Sequence, residues 1–283
     1  MSAVGTSSAC ESTESNDKKN PVDQQSSSGQ KTIIEEKLES EENNKCSNWL
    51  QKTRPSKRRD YCDRCLRPKP RACICESLPE ESITLSKCRI LVLQHPLEGK
   101  MKNRSVPLLQ LTLSPKCMMV TVGRRFGDQT SSTKMMDIIN DEKEPLLLLY
   151  PSPDALPLEK VLQSMDVAKH ETVNILVLDA TWKYAREMDR ANTLNDQYPT
   201  KMIRVKLDPS DKHLPTTFRP RRFDIRTPPS PDHLSTAECI AWAVSRIENN
   251  SALYEILLKP LDCMVTKWKS FSTKKQKTNH KIK

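Results

Sequence analysis

The sequence has 283 residues and only 5 Gly. None of them forms a G-x-G-x-x-G fingerprint or a P-loop. Those loops use glycine to bring backbone N–H groups against a phosphate, so a nucleotide cofactor on a Rossmann-type glycine loop is not supported. No Ser stands in a G-x-S-x-G elbow, which removes the usual evidence for a hydrolase nucleophile. No apolar run approaches the ~20 residues of a membrane span. The N-terminus lacks an apolar signal region, which argues against secretion.

What is present points elsewhere. The chain carries 20 Pro, 10 Cys and a net charge of +10. Residues 1–45 hold nine acidic residues against five Lys, a net of −4, so residues 46–283 carry +14. An excess of that size suggests an anionic partner, with RNA or DNA first among candidates. Residues 1–51 are rich in Ser, Glu, Asn and Lys and are expected to be disordered, with room for a short helix at Ile33–Leu38.

Residues 52–80 combine basic clusters with Cys62-x2-Cys65-x7-Cys73-x-Cys75. Four thiolates in so short a span can close a tetrahedral zinc site and fold a segment too small for its own core. The one-residue gap of the second pair departs from the usual two to four. Lys57-Arg58-Arg59 also fits a nuclear import signal, which permits import without requiring it, so cytoplasm, nucleus or both is the expected location.

From residue 81 the pattern alternates. Strands are expected at Cys88–Gln94, Lys116–Val122, Leu146–Tyr150, Ile175–Leu178 and Met202–Leu207. Helices are expected at Ser105–Thr112, Leu158–Met165, Thr181–Asn192 and from Leu234 through Ile247, with 127–144 a polar loop. Alternation of this kind predicts an α/β domain over 81–258 with a mainly parallel sheet flanked by helices. From Lys259 onward the chain has eight Lys and one acidic residue, and a flexible basic tail is expected over 259–283.

Several strands end in chemistry-bearing residues: His95 and Glu98, Arg124, Tyr150-Pro151, and Asp179. In a parallel sheet these converge on the C-terminal edge, where open α/β folds bind ligands. Asp179 follows the apolar run Ile175–Leu178 and precedes Thr181-Trp182. It reads either as a helix cap or as a general base. Trp182 reads equally as a core aromatic. Ser235 and Glu238 form a capping box, while the same helix start offers N–H groups to an anion. The two uses are not separable at this level.

Taken together, five separated motifs resemble the DTW-domain family over about residues 60–258. They are the Cys62/65/73/75 knuckle, Leu93-Gln94-His95-Pro96-Leu97-Glu98, Leu149-Tyr150-Pro151, Asp179-Ala180-Thr181-Trp182, and Leu234-Ser235-Thr236-Ala237-Glu238. Residue 180 is the variable position of the D-x-T-W box. The resemblance implies a SPOUT-like fold, in which a knotted cleft binds S-adenosylmethionine without a glycine loop. It also implies transfer of the 3-amino-3-carboxypropyl group to the imide nitrogen of a tRNA uridine, with methylthioadenosine leaving. Asp179 is then the expected base, with Tyr150, Leu178, Thr181, Trp182, Ser235 and Thr236 around the cofactor. His95, Glu98, Arg124, Arg125, Arg219, Arg221 and Arg222 are expected toward the tRNA, and Cys62, Cys65, Cys73 and Cys75 hold structural zinc. No membrane association or obligate protein partner is expected. The rival readings are a SPOUT-type RNA methyltransferase and a non-catalytic zinc-containing RNA-binding protein.

Overall fold

Six strands form one parallel sheet in the computed structural model, in the order β2-β1-β5-β3-β6-β4. The structure describes residues 60–128, 133–208, 221–226 and 233–279, all within the unit Arg59–Lys283. The strands are β1 Cys88–Gln94, β2 Met118–Val122, β3 Leu146–Leu149, β4 Leu156–Pro157, β5 Val173–Asp179 and β6 Ile203–Lys206. The helices are α1 Val106–Thr112, α2 Thr133–Asn140, α3 Leu158–Ser164, α4 Trp182–Leu194, α5 Thr236–Ile247 and α6 Ala252–Asn279. Every pairing is parallel, as the alternating pattern predicts.

The central strands are mostly apolar because helices cover both of their faces. Every residue of β5 is buried. Ile90, Val92, Leu147, Ile175 and Val177 face a larger core shared with α1, α3, α5 and α6. Their sequence neighbours Leu91, Leu93, Leu146, Leu148, Leu176 and Leu178 face a smaller one, with Met135, Ile139 and Met188. The two-residue period of a strand thus sorts one apolar run into two cores.

Two stretches differ from expectation. The 127–144 segment contains α2, because Met135 and Ile139 are buried and Met136 and Ile138 pack partly against the same core. The basic tail begins as helix: α6 runs to Asn279 with Pro260 inside it. Leu261, Met264 and Val265 are buried in the same core as Cys62, Cys65 and Ile74. The cysteine segment gives this part of the helix a partner, and Glu76 adds an ion pair to Lys267 at 2.8 Å.

Glu248, just past α5, clamps the start of β1. Its carboxylate accepts from the backbone N–H groups of Ser86, Lys87 and Cys88 at 3.0, 2.8 and 2.7 Å. Replacing it with Ala leaves three donors without their charged acceptor. A loss of about 2 kcal/mol is expected, read as a lower denaturant midpoint at unchanged m-value.

Candidate functional site

The parallel register brings Gln94 opposite Asp179 at the ends of β1 and β5. Gln94 Nε2 donates to Asp179 Oδ2 at 2.7 Å, and the Asp179 carbonyl accepts from the His95 N–H at 2.9 Å. Asp179 is only 4% exposed. It is not the cap of α4, whose N-cap residue is Thr181. Burial pushes its carboxyl above the ordinary value. Hydrogen bonds from Gln94 and Thr236 oppose that shift; Glu98 adds to it and Arg226 works against it. A buried carboxylate with neutral donors and a raised pKa suits proton abstraction better than a solvated one.

A cavity of about 590 Å³ opens next to the D-x-T-W turn; Leu178, Ala180 and Thr181 line it, while Asp179 lies behind that wall. Tyr150 and Leu178 line it from the strand ends, Thr181 and Trp182 from the start of α4, and Ser235 and Thr236 from the start of α5. The six residues expected around a cofactor are therefore brought together. Leu149, Val177, Phe223 and Trp242 supply apolar wall; Lys183, Lys206, Arg221 and Arg226 supply positive charge. The Trp182 ring meets His233 edge-on, with centroids 4.1 Å apart. Thr236 lines the cavity and its side chain also helps to hold down the pKa of Asp179, so it stands between the carboxylate and the lumen. The Ser235–Glu238 capping box forms in full, and the same helix end faces the cavity, so capping and ligand exposure coexist.

With this geometry in hand, the family comparison is decisive: the DTW domain matches residues 59–269. The chain belongs to the DTW-domain family. It is 32% identical to tRNA-uridine aminocarboxypropyltransferase 2 of Macaca fascicularis over 216 residues, covering 76% of this chain and 66% of that protein. The Drosophila melanogaster protein of the same name is 32% identical, covering 73% and 74%. Arabidopsis thaliana tRNA-uridine aminocarboxypropyltransferase A is 29% identical, covering 68% and 74%. No solved structure matches the chain.

The other expected residues of this DTW domain separate into groups. His95 and Glu98 are buried at 2% and 6% exposure, away from the cavity lining. His95 stacks on Tyr184, with centroids 4.4 Å apart and planes within 7°. Its Nδ1 accepts from the Leu97 N–H at 3.2 Å, which puts the proton of the neutral ring on Nε2. Burial, and then Arg124, lowers its pKa. Glu98 instead pairs with Arg226 at 2.7 Å, and Arg226 also donates to the Asn103 carbonyl. Both residues thus shape the site from behind.

Arg222, expected at a phosphate, is turned inward. Its guanidinium pairs with Asp262 at 2.8 Å and with Glu255, and its side chain is 6% exposed. Arg221 reaches the cavity, Arg124 and Arg125 are exposed beyond β2, and Arg219 lies outside the described residues. Gln94, inside the Leu93–Glu98 motif but not among the residues expected at the site, joins it, as do Arg226, Lys183 and Lys206. They are common polar residues, and only the register and loop path select them.

The four knuckle thiols converge: their sulfurs all lie within 4.8 Å of one another. The pairs Cys62–Cys75 and Cys65–Cys73 stand at 3.3 and 3.7 Å. Zn–S bonds of about 2.3 Å would set tetrahedral sulfurs roughly 3.8 Å apart, so the cluster can hold a metal ion of that kind. The irregular Cys73-x-Cys75 spacing is accommodated because Cys75 opens a single 3-10 turn, Cys75–Ser77. Backbone N–H donation from Cys65, ahead of other influences, lowers the Cys62 thiol to about 6, while its contact with Cys62 pushes the Cys75 thiol up to about 12.

Proposed function

We propose that this DTW domain transfers the 3-amino-3-carboxypropyl group of S-adenosylmethionine to the imide nitrogen of a tRNA uridine, releasing methylthioadenosine. The observation that carries the reading is the cavity at the D-x-T-W turn, with a buried, hydrogen-bonded carboxylate behind its wall. The relatives' shared activity supports it.

The cavity suits the donor in size and character. Drug-sized ligands occupy about 300–1,000 Å³ in mostly apolar pockets with a few convergent polar groups. Leu178, Trp182 and Tyr150 would hold the apolar and aromatic parts, and Thr181, Ser235 and Thr236 the polar ones. The start of α5 carries the positive end of a helix dipole, complementary to the donor's carboxylate. When bound, S-adenosylmethionine supplies a sulfonium-activated carbon as electrophile.

The residues of the chain do the rest. Uracil's imide nitrogen is a weak nucleophile while protonated, and Asp179 takes that proton. Gln94 and Thr236 fix the carboxylate's orientation, and the Glu98–Arg226 pair adjusts its charge from behind. The apolar walls exclude water and hold donor and nucleophile in line, since more than one carbon on the sulfonium can react. Zinc at Cys62, Cys65, Cys73 and Cys75 is structural in this reading. Arg124, Arg125, Arg219 and Arg221 are phosphate contacts for tRNA, and a knotted cleft of the SPOUT kind belongs to the same proposal. The site of action is cytoplasm, nucleus or both; among the described residues no helix is long and apolar enough to cross a membrane.

The test is mass spectrometry of unmodified tRNA incubated with the full chain and S-adenosylmethionine. The expected result is a 3-amino-3-carboxypropyl adduct together with methylthioadenosine. A methyl adduct with adenosylhomocysteine would make the protein a methyltransferase instead. Binding with no adduct would leave an RNA-binding protein.

A further inference from the structure

We propose that the outer face of α4, with Arg124 on the loop tied to that helix, seats the phosphate backbone of the RNA strand that carries the target uridine. This rests on the transferase reading above, which makes tRNA the partner; the surface itself follows from charge and packing.

The helix α4 buries Ala185, Met188 and Asn192 along one side. At about 100° per residue, Lys183, Arg186 and Arg190 fall within about 60° of one another on the opposite side. All three are exposed. Some other ordered cations are taken up by carboxylates: Arg246 by Glu159, Lys267 by Glu76, Arg226 by Glu98. Among the described residues, Lys183, Arg186 and Arg190 have no such partner. Asp189, on the same helix, is drawn away by Arg204 at 2.8 Å and Tyr198 at 3.2 Å. Glu187 is the one acidic residue left on the outer face, and its charge acts on His95.

The backbone at Arg124 is tied to the same helix by a buried clamp on the side away from the stripe. Asn192, with no exposed surface, donates through Nδ2 to the Arg124 carbonyl at 3.2 Å. Its Oδ1 accepts from the Phe126 N–H at 2.8 Å. A buried amide spent on tying a loop to a helix makes the two a single unit. The stripe also begins at the site: Lys183 lines the cavity, and the charge of Arg186 is felt at Tyr150 on the cavity wall. A protein partner would need an apolar, desolvated centre. The stripe offers cations over about 10 Å of helix, which fits a phosphate backbone.

The experiment compares the full chain with its R186E/R190E and R186Q/R190Q variants. Affinity for an unmodified tRNA transcript is measured by anisotropy across a salt series, alongside KM and kcat. Binding of phosphatidylserine-containing vesicles serves as the control. Expected is at least tenfold weaker tRNA binding in the Glu pair, with a smaller loss in the Gln pair. Each phosphate contact contributes about 0.7–0.9 to the slope of log K against log[salt], so the slope should fall by about 1–2. KM for tRNA rises while kcat at saturating tRNA stays within about twofold and the melting temperature is unchanged. The Gln pair keeps the test open if the Glu charges disturb the helix. Unchanged affinity and slope in both variants overturn the proposal, as does a loss confined to vesicle binding. Binding is read without turnover, so a wild-type protein that binds through this face but transfers nothing would sink only the transferase reading.

Discussion

Asp179→Asn is expected to leave tRNA binding within about twofold of wild type and to cut the transfer rate by about 10²–10⁴, the usual worth of a positioned general base. Asn keeps the shape and can still pair with Gln94 by a flipped amide, so the loss isolates the proton-accepting role. The pH dependence follows from burial, the largest cause of the raised carboxyl pKa. Wild-type rate should climb with pH through a midpoint above the ordinary ~4 of an Asp, and that limb should vanish in the variant. Stability carries the opposite sign. A carboxyl whose folded pKa is raised contributes stability fully present below about pH 4, and that contribution is lost as pH rises through the folded pKa. At neutral pH the ionised side chain is a net cost, so the Asn protein should melt no lower than wild type. A variant that transfers at the normal rate would remove Asp179 as base. One that melts several degrees lower would make it structural.

Cys65→Ser is expected to abolish stoichiometric zinc and to destabilise the whole unit, not a detached knuckle. Cys65 is 4% exposed and shares one core with Cys62, Ile74, Leu261, Met264 and Val265. Loss of the metal should therefore loosen the second half of α6 as well. Removal of a structural metal belongs among the large effects, about 4 kcal/mol or more, or on the order of 10 °C in Tm for a domain of this size. Metal analysis and thermal melting read the two parts separately. Cys88→Ser is the control: Cys88 is equally buried but lies at the start of β1, so it should lose stability and keep zinc. A Cys65→Ser protein that retains metal and melts normally would mean the four thiols are not its ligands.

Much of this arrangement was readable from local pattern. An apolar β-branched run closed by Asp179 announces a buried parallel strand, because such strands have helices on both faces. Pro96 and Pro151 mark strand ends for a reason contained in their own chemistry, the missing N–H and fixed φ. The capping box at Ser235 and Glu238 is likewise a local device, and it forms. The misses have the opposite character. The apolar side of α2 is short, Met135 and Ile139 with Met136 and Ile138 beside them, and it lies between polar stretches. The helical course of 261–279 depends on a partner about two hundred residues earlier in the chain.

The sequence by itself determined the fold class, the parallel edge on which the polar strand ends meet, and the D-x-T-W carboxylate as the residue to watch. Periodicity, proline and thiol spacing act over a few residues and survive any change of surroundings. Tertiary structure alone decided which polar groups serve the site and which serve the scaffold. His95 lies flat on Tyr184 and Glu98 holds Arg226, while Arg222 turns in to two carboxylates and Arg226, with no motif of its own, lines the cavity. A charged side chain's role is set by whatever its neighbours leave unpaired, and those neighbours arrive from distant parts of the chain.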